Sequence, residues 1–113
     1  MELKVDKKSD ITVIGIIGDL DGTSAETAQK GISEHIKPGC SVVFNMEKCT
    51  FISSAGLRVL LMSAKHIKRE NGKGALSGLS GDIKDVMEMT GFDHIFSNYD
   101  TLSKAIDALK KEK

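Results

Sequence analysis

The chain has 113 residues, 40% of them hydrophobic and 28% charged, which is the composition of an ordinary globular domain. Sixteen basic and sixteen acidic residues cancel, so the chain lacks the basic excess that nucleic-acid binding usually requires. No apolar run approaches the roughly 20 residues that cross a bilayer, and residues 1–10 lack the apolar stretch of a secretory signal. We therefore expect one cytoplasmic domain over residues 1–113, with neither membrane insertion nor a nucleic-acid partner.

Strands and helices alternate along the first half of the chain. Residues 2–6 alternate weakly and predict an edge strand, whereas the β-branched run 11–17 predicts a buried strand. Turn-forming residues at 18–22 end that pattern. Thr23 or Ser24 can cap a helix that runs to about Ile36, and residues 41–46 predict a second central strand.

The second half continues the alternation. A helix is predicted from about Ala55 to Glu70, followed by a glycine-diluted strand over 74–79 and a short helix over 82–90 closed by Gly91. Residues 95–96 predict a last short strand, and residues 102–109 a C-terminal helix. Strands joined by helical crossovers imply an α/β domain with a mixed, mostly parallel sheet of four to five strands and about four helices.

The pair Ser53-Ser54 lies where the Phe51-Ile52 segment enters the middle helix. A serine there can simply cap backbone N–H groups, which is the structural interpretation. The same position also suits phosphorylation, because a phosphate at a helix start meets unpaired N–H donors and the positive end of the helix dipole. Both interpretations remain open on these residues alone.

The segment FISSAGLRVLL, from Phe51 to Leu61, resembles the Asp-Ser-Ser-Gly-Leu turn and helix of the STAS family, the sulphate transporter and anti-sigma factor antagonist domains. The turn from Gly18 to Thr23 is similar to that family's Gly-x-Leu-Asp motif, and Met89 to Asp93 is similar to a late family segment. The likeness covers nearly the whole chain. It implies a STAS-type fold and the role of a stand-alone anti-sigma factor antagonist.

The resemblance also implies roles for single residues. Matching Phe51 and Gly56 to the family's flanks puts Ser54 at the phosphorylated serine, with Ser53 as the alternative. Here the chain departs from the family, since Ser53 replaces an aspartate and Ala55 replaces the second serine. Asp21 matches a family aspartate near this turn and is expected to contact the kinase or its nucleotide.

Such domains act in a partner switch without catalysis or a cofactor. The resemblance implies that the unmodified chain binds an anti-sigma serine kinase of the GHKL type and frees a sigma factor. Phosphorylation then releases the kinase, and a serine phosphatase restores binding. The alternative is a STAS adaptor subunit that docks on a transporter or another complex without serine phosphorylation.

The helix after Ser54 supplies an independent indication of a binding surface. At 100° per residue its apolar arc contains Leu57, Leu60, Leu61, Ala64 and Ile67. A basic stripe with apolar centres lies opposite, formed by Arg58, Met62, Lys65, His66 and Arg69 with Val59 beside them. It is either a routine solvated face or a dock for an acidic kinase surface. The predicted partner-binding residues are Asp21, Thr23, Ser53, Ser54, Ala55, Gly56, Arg58, Val59, Met62 and Lys65.

Other chemistries lack support in the sequence. The three histidines have no metal-ligand spacing, and the two cysteines form no CxxC pattern. No P-loop, dinucleotide motif or Gly-x-Ser-x-Gly elbow is present. We therefore predict no enzyme activity, no metal and no cofactor.

Overall fold

A six-stranded sheet with four helices forms the protein, which we describe from a computed structural model for residues 1–91 and 94–111. The strands are β1 Glu2–Lys8, β2 Ile11–Leu20, β3 Ser41–Asn45, β4 Cys49–Ile52, β5 Lys73–Ser77 and β6 Ser97–Tyr99. The helices are α1 Ala25–Ser33, α2 Ser54–Arg69, α3 Gly81–Thr90 and α4 Leu102–Lys111.

The main sheet has the strand order β1-β2-β3-β5-β6, and β4 pairs with the end of β2. Only β1 is antiparallel to its neighbour, because a short turn at residues 9–10 joins it to β2. All other pairs are parallel. The predicted mixed, mostly parallel sheet is confirmed, and β4 brings the number of strands to six.

The first part of strand β2, residues 11–16, is mostly apolar because both faces of the sheet are covered there. Ile14 and Ile16 pack into a core with residues of α1, α2 and α3. Ile11 and Val13 point to the other face and pack against α4. Each fully buried Ile contributes about 1.5–3 kcal/mol through removal of apolar surface from water. This double burial explains why the run 11–17 does not alternate in polarity.

The predicted turn at residues 18–22 begins later than expected. Strand β2 continues to Leu20, and the register shifts between Gly18 and Asp19. Gly18 has φ +92°, a conformation that favours glycine, and this bulge moves β2 from pairing with β3 to pairing with β4. The turn itself therefore spans residues 21–24, directly before α1.

Two other boundaries differ from the sequence prediction. Helix α1 ends at Ser33 instead of Ile36, before the Pro38-Gly39 stop is reached. The last strand is β6, Ser97–Tyr99, and the predicted strand residue Phe96 instead lies buried against the ring of Phe44 with centroids 5.4 Å apart. The predicted α3 with its Gly91 cap is confirmed.

We predict that Gly56→Ala destabilises the fold by about 3 kcal/mol through overpacking. A Cβ at Gly56 would overlap the Leu20 carbonyl oxygen and lie 2.7 Å from Ile52 Cγ1. Urea unfolding monitored by circular dichroism measures the loss. Gly81→Ala is the matched control, because Gly81 also lies in a helix start and a Cβ there meets nothing within 4 Å. Equal stability of the two variants would contradict the close packing at Gly56.

Candidate functional site

The site is built at the carboxyl end of the sheet, where β2 and β4 lie side by side. Ile52 pairs with Leu20 in the parallel register, and the Ser53 N–H donates to the Leu20 carbonyl at 3.0 Å. The Thr50 hydroxyl donates to Asp19 Oδ1 at 2.7 Å and adds a second link between the two strands. These contacts bring the Asp21 turn and the Ser53-Ser54 turn to one end of the sheet, although Asp21 and Ser53 are 32 positions apart in sequence.

Ser53 is the N-cap of α2. Its backbone is extended, with φ −99° and ψ 179°, and its Oγ accepts a hydrogen bond from the Gly56 N–H at 3.3 Å. Its carbonyl accepts the Leu57 N–H at 2.9 Å, and the residue is partly buried. The structural interpretation of the serine pair as a helix cap therefore applies to Ser53.

Ser54 differs from its neighbour in every respect that matters for modification. It is the first residue of α2 and is exposed. Within residues 1–91 and 94–111 its hydroxyl has no hydrogen-bond partner. The first turn of α2 contains no acidic residue, so a phosphate on Ser54 would meet helix N–H groups without a like charge in that turn. The fold thus leaves the Ser54 hydroxyl accessible for covalent modification.

Gly56 and Ala55 follow the serines but have different surroundings. Ala55 is half-buried, whereas Gly56 is fully enclosed by Leu20 and Ile52. Gly56 is buried and offers little surface to a partner, so its predicted contact with a partner stays a prediction. Its function is to let α2 start close to the end of β2.

Asp21 organises the turn between β2 and α1. Its Oδ1 accepts hydrogen bonds from the Thr23 N–H at 3.0 Å, the Thr23 hydroxyl at 2.7 Å and the Ser24 N–H at 3.3 Å. The Thr23 hydroxyl bond is the main cause that holds the Asp21 pKa below its ordinary value. The carboxylate is therefore ionised at neutral pH and fixes the shape of the loop beside the serine turn.

Ser24 has a different role from the one the sequence predicts. It occupies the N-cap position of α1, but its side chain makes no capping bond to the helix. Its hydroxyl instead donates to the Asp19 carbonyl at 2.9 Å and accepts from the Asp21 N–H at 3.0 Å. It therefore closes the Asp21 turn.

The exposed face of α2 carries most of the predicted basic stripe. Arg58 and Lys65 are exposed, and Met62 is 38% exposed. Neither Arg58 nor Lys65 forms an ion pair within the described part of the chain. This face therefore combines uncompensated positive charge with an adaptable apolar side chain.

The prediction that Val59 lies on this stripe is wrong, because Val59 is only 1% exposed. It belongs to the same buried core as Ala28 and Ile32 of α1, which packs alongside α2. The buried face of α2 is consequently rotated toward α1 and includes Ser63, whereas Leu61 and Ala64 are only partly buried.

Phe51 lies at the surface although its side chain is large and apolar. It is 52% exposed on β4, two residues before Ser53. Cys49 is buried, so a strictly alternating strand would also bury Phe51. The register of β2 against β4 skips Thr50, and two consecutive β4 residues are exposed as a result. No periodicity signal in the sequence reveals this.

Among the described residues no cluster of three or more His, Cys, Asp or Glu side chains could hold a metal ion. Both cysteines are free, and burial raises the pKa of the Cys49 thiol. None of the helices in the described ranges is long and apolar enough to cross a membrane. The late segment from Met89 to Asp93 ends on residues 92–93, which lie outside the described residues.

The STAS domain model matches residues 2–105. The chain therefore belongs to the STAS domain family, as its two motifs predicted. It is 30% identical over 111 residues to the protein named "Putative anti-sigma factor antagonist BtrV" from Bordetella bronchiseptica, covering 97% of this chain and 96% of that relative.

Solved structures show the same fold. The anti-sigma factor antagonist SpoIIAA in its unphosphorylated form is 21% identical with a TM-score of 0.72, covering 96% of this chain and 98% of that one. The phosphorylated form from Bacillus is 23% identical with a TM-score of 0.71, covering 95% and 98%. The murine anion transporter Slc26a9 is 10% identical with a TM-score of 0.81, covering 94% of this chain and 18% of that one.

We predict that Thr23→Val raises the Asp21 pKa toward its ordinary value, because the hydroxyl bond that favours the carboxylate is lost. A depressed pKa stabilises the folded state above the unfolded pKa, and this stabilisation disappears as the pH falls through the folded value. The variant should therefore lose less stability than the wild type on acidification. Carbon-detected NMR titration of the Asp21 carboxyl measures the shift, and Thr27→Val, exposed in α1, is the control. An unchanged Asp21 titration would contradict this.

Proposed function

We propose that this chain is an anti-sigma factor antagonist whose binding to a protein kinase is controlled by phosphorylation of Ser54. The observation that carries the proposal is the exposed Ser54 hydroxyl at the start of α2, which has no hydrogen-bond partner in the described part of the chain. Family membership and the similarity to named anti-sigma factor antagonists support it.

In the proposed cycle the unmodified chain binds an anti-sigma serine kinase of the GHKL type and thereby frees a sigma factor. The kinase transfers a phosphoryl group to the Ser54 oxygen, and the complex dissociates. A serine phosphatase hydrolyses the phosphoserine and restores binding. The chain contributes only the accepting hydroxyl and no catalytic group. Since sigma factors act on RNA polymerase, this cycle belongs to the cytoplasm.

The surroundings of the two serines favour Ser54 over Ser53 as the modified residue. The Ser53 Oγ is engaged with the Gly56 N–H, and the residue is partly buried. A phosphate on Ser53 would replace the cap that orients α2 and would crowd the contact with Leu20. A phosphate on Ser54 spares that contact, because the Ser54 side chain takes no part in the hydrogen bonds of the helix start.

The docking surface in this proposal comprises Phe51, Ser54, Arg58, Met62 and Lys65. It has an exposed ring at one end, two cations along α2 and a thioether between them. Such a surface fits an acidic patch with an apolar pocket on the kinase. Phosphorylation adds almost two negative charges one helical turn from Arg58. That addition reverses the local charge and repels the same acidic patch.

Asp21 and Thr23 border this surface from the β2–α1 turn. The Thr23 side chain is exposed, and its hydroxyl already donates to Asp21. In the proposal this preformed turn contacts the kinase or its nucleotide. Its rigidity lowers the ordering cost of binding.

The adaptor alternative is a STAS subunit that docks on a transporter or another assembly without phosphorylation. The likeness of the fold to a segment of Slc26a9 shows that the same architecture occurs within a transporter chain. The two functions predict different effects of a negative charge at Ser54. In the switch the charge weakens partner binding, whereas in an adaptor it acts only as a steric change.

We predict that Ser54→Asp weakens binding to the cognate kinase by at least about a hundredfold, since a negative charge would face an acidic patch. Ser54→Asn should bind nearly as well as the wild type, because it has the same shape without the charge. Isothermal titration calorimetry with the kinase measures both. Equal binding of the Asp and Asn variants would refute the switch and favour the adaptor.

The modified residue is identified separately. Incubation with kinase and ATP followed by peptide mass spectrometry should find the phosphate on Ser54 in the wild type and none on Ser54→Ala. Ser53→Ala should still be phosphorylated. Ser80→Asp, at the N-cap of α3, is the control for a charge at another helix start and should not alter kinase binding.

We also predict that Arg58→Glu combined with Met62→Asp lowers kinase affinity by at least about tenfold, because it removes a cation and an apolar contact from the docking surface. Lys84→Glu combined with Met89→Asp is the control, since it replaces an exposed cation and an exposed methionine on α3 in the same way. Surface plasmon resonance compares the two. Wild-type affinity of the α2 variant would exclude this face as the dock.

A further inference from the structure

Strand β1 forms one end of the sheet and presents an open edge. It runs over seven residues, pairing with β2 from Glu2 opposite Ile17 to Lys8 opposite Ile11. No other strand of the described ranges pairs with it. The opposite end of the sheet, β6, has only three residues. An open edge of this length is a template for another strand.

The sequence of β1 is complementary to itself when read in the opposite direction. If two copies pair antiparallel about Val5, each residue i lies opposite residue 10 − i of the other copy. Glu2 then faces Lys8, Lys4 faces Asp6, and Val5 faces Val5. The symmetry of the pairing repeats both ionic contacts, which gives four opposite-charge pairs per dimer.

All four pairs lie on one face of the sheet, because residues two apart in a strand point the same way. Opposite charges directly across an antiparallel pair stabilise it. Val5 lies on the other face, is 39% exposed in a single copy and would be covered by its own symmetry mate. The remaining pair, Leu3 opposite Lys7, combines an apolar and a charged side chain. The aliphatic part of the lysine side chain can lie along the leucine.

The charge pattern also selects this register against its neighbours. Sliding the copies by two residues in one direction places Lys4 opposite Lys4 and Glu2 opposite Asp6. Sliding them in the other direction places Asp6 opposite Asp6 and Lys4 opposite Lys8. Like charges directly opposite are unfavourable, so the register about Val5 is the one free of repulsion on that face.

We propose that two copies of the protein associate through antiparallel pairing of their β1 strands about Val5, which joins two six-stranded sheets into one. The lysines that keep unrelated strands away from the edge become partners of acidic residues in this pairing. The contact of Asp6 with Lys8 within the strand is weak, since it is 3.9 Å long and both side chains are mostly exposed. Asp6 Oδ1 also accepts the Lys7 N–H at 2.9 Å, an exposed local bond that the pairing must replace. The interface is small, so the dimer is weak and depends on concentration.

Charge reversal tests the register directly. Lys4→Asp places two carboxylates opposite each other twice per dimer and should raise the dissociation constant by about tenfold or more. Lys4→Asp combined with Asp6→Lys restores both pairs with the charges exchanged and should return the dissociation constant to the wild-type value. Sedimentation equilibrium at increasing protein concentration, extending to the millimolar range, measures all three proteins at low salt.

Two further measurements complete the test. Raising the salt concentration should weaken the wild-type dimer, because exposed ion pairs are screened. Lys104→Asp, an exposed lysine of α4, should leave association unchanged. The proposal is overturned if the wild type stays monomeric throughout, or if the exchanged double variant associates as weakly as Lys4→Asp. Circular dichroism checks that each variant is folded.

Discussion

The hydrogen bond from the Ser53 N–H to the Leu20 carbonyl holds the candidate site together. It joins the end of β2 to the start of α2, and it forms only because Gly56 lets the helix approach that carbonyl. Everything else at this end of the sheet follows from that approach. Ser53 becomes the cap, Ser54 is turned outward, and the Asp21 loop lies beside both.

Much of this arrangement could be predicted from sequence because it depends on local chemistry. The β-branched run of β2, the cap residues of α2 and the Gly91 stop of α3 each have a short-range physical cause. The proximity of the Asp21 turn to the serine turn was predicted only from the family motifs, because the periodicity of one sequence carries no information on which distant turns meet.

The sequence predictions fail at positions whose burial is determined by tertiary packing. Val59 appears peripheral on a helical projection, yet α1 covers it, and a projection of one helix cannot show a neighbour. The exposure of Phe51 follows from the register shift of β2 against β4, which no sequence pattern shows. The extension of β2 to Leu20 depends on a bulge at Gly18. A glycine followed by an aspartate is typical of turns as well, so the sequence does not distinguish the two.

The burial of Cys49 has a consequence for the chemistry around the serine turn. Its thiol lies on β4, within hydrogen-bond reach of the Phe51 carbonyl at 3.5 Å, and burial raises its pKa. Thiolate is the species that peroxides and electrophiles attack, and little of it forms here at neutral pH. Oxidants therefore find no ready target at Cys49, and redox chemistry at that sulfur does not interfere with the Ser54 hydroxyl on which the proposed switch depends.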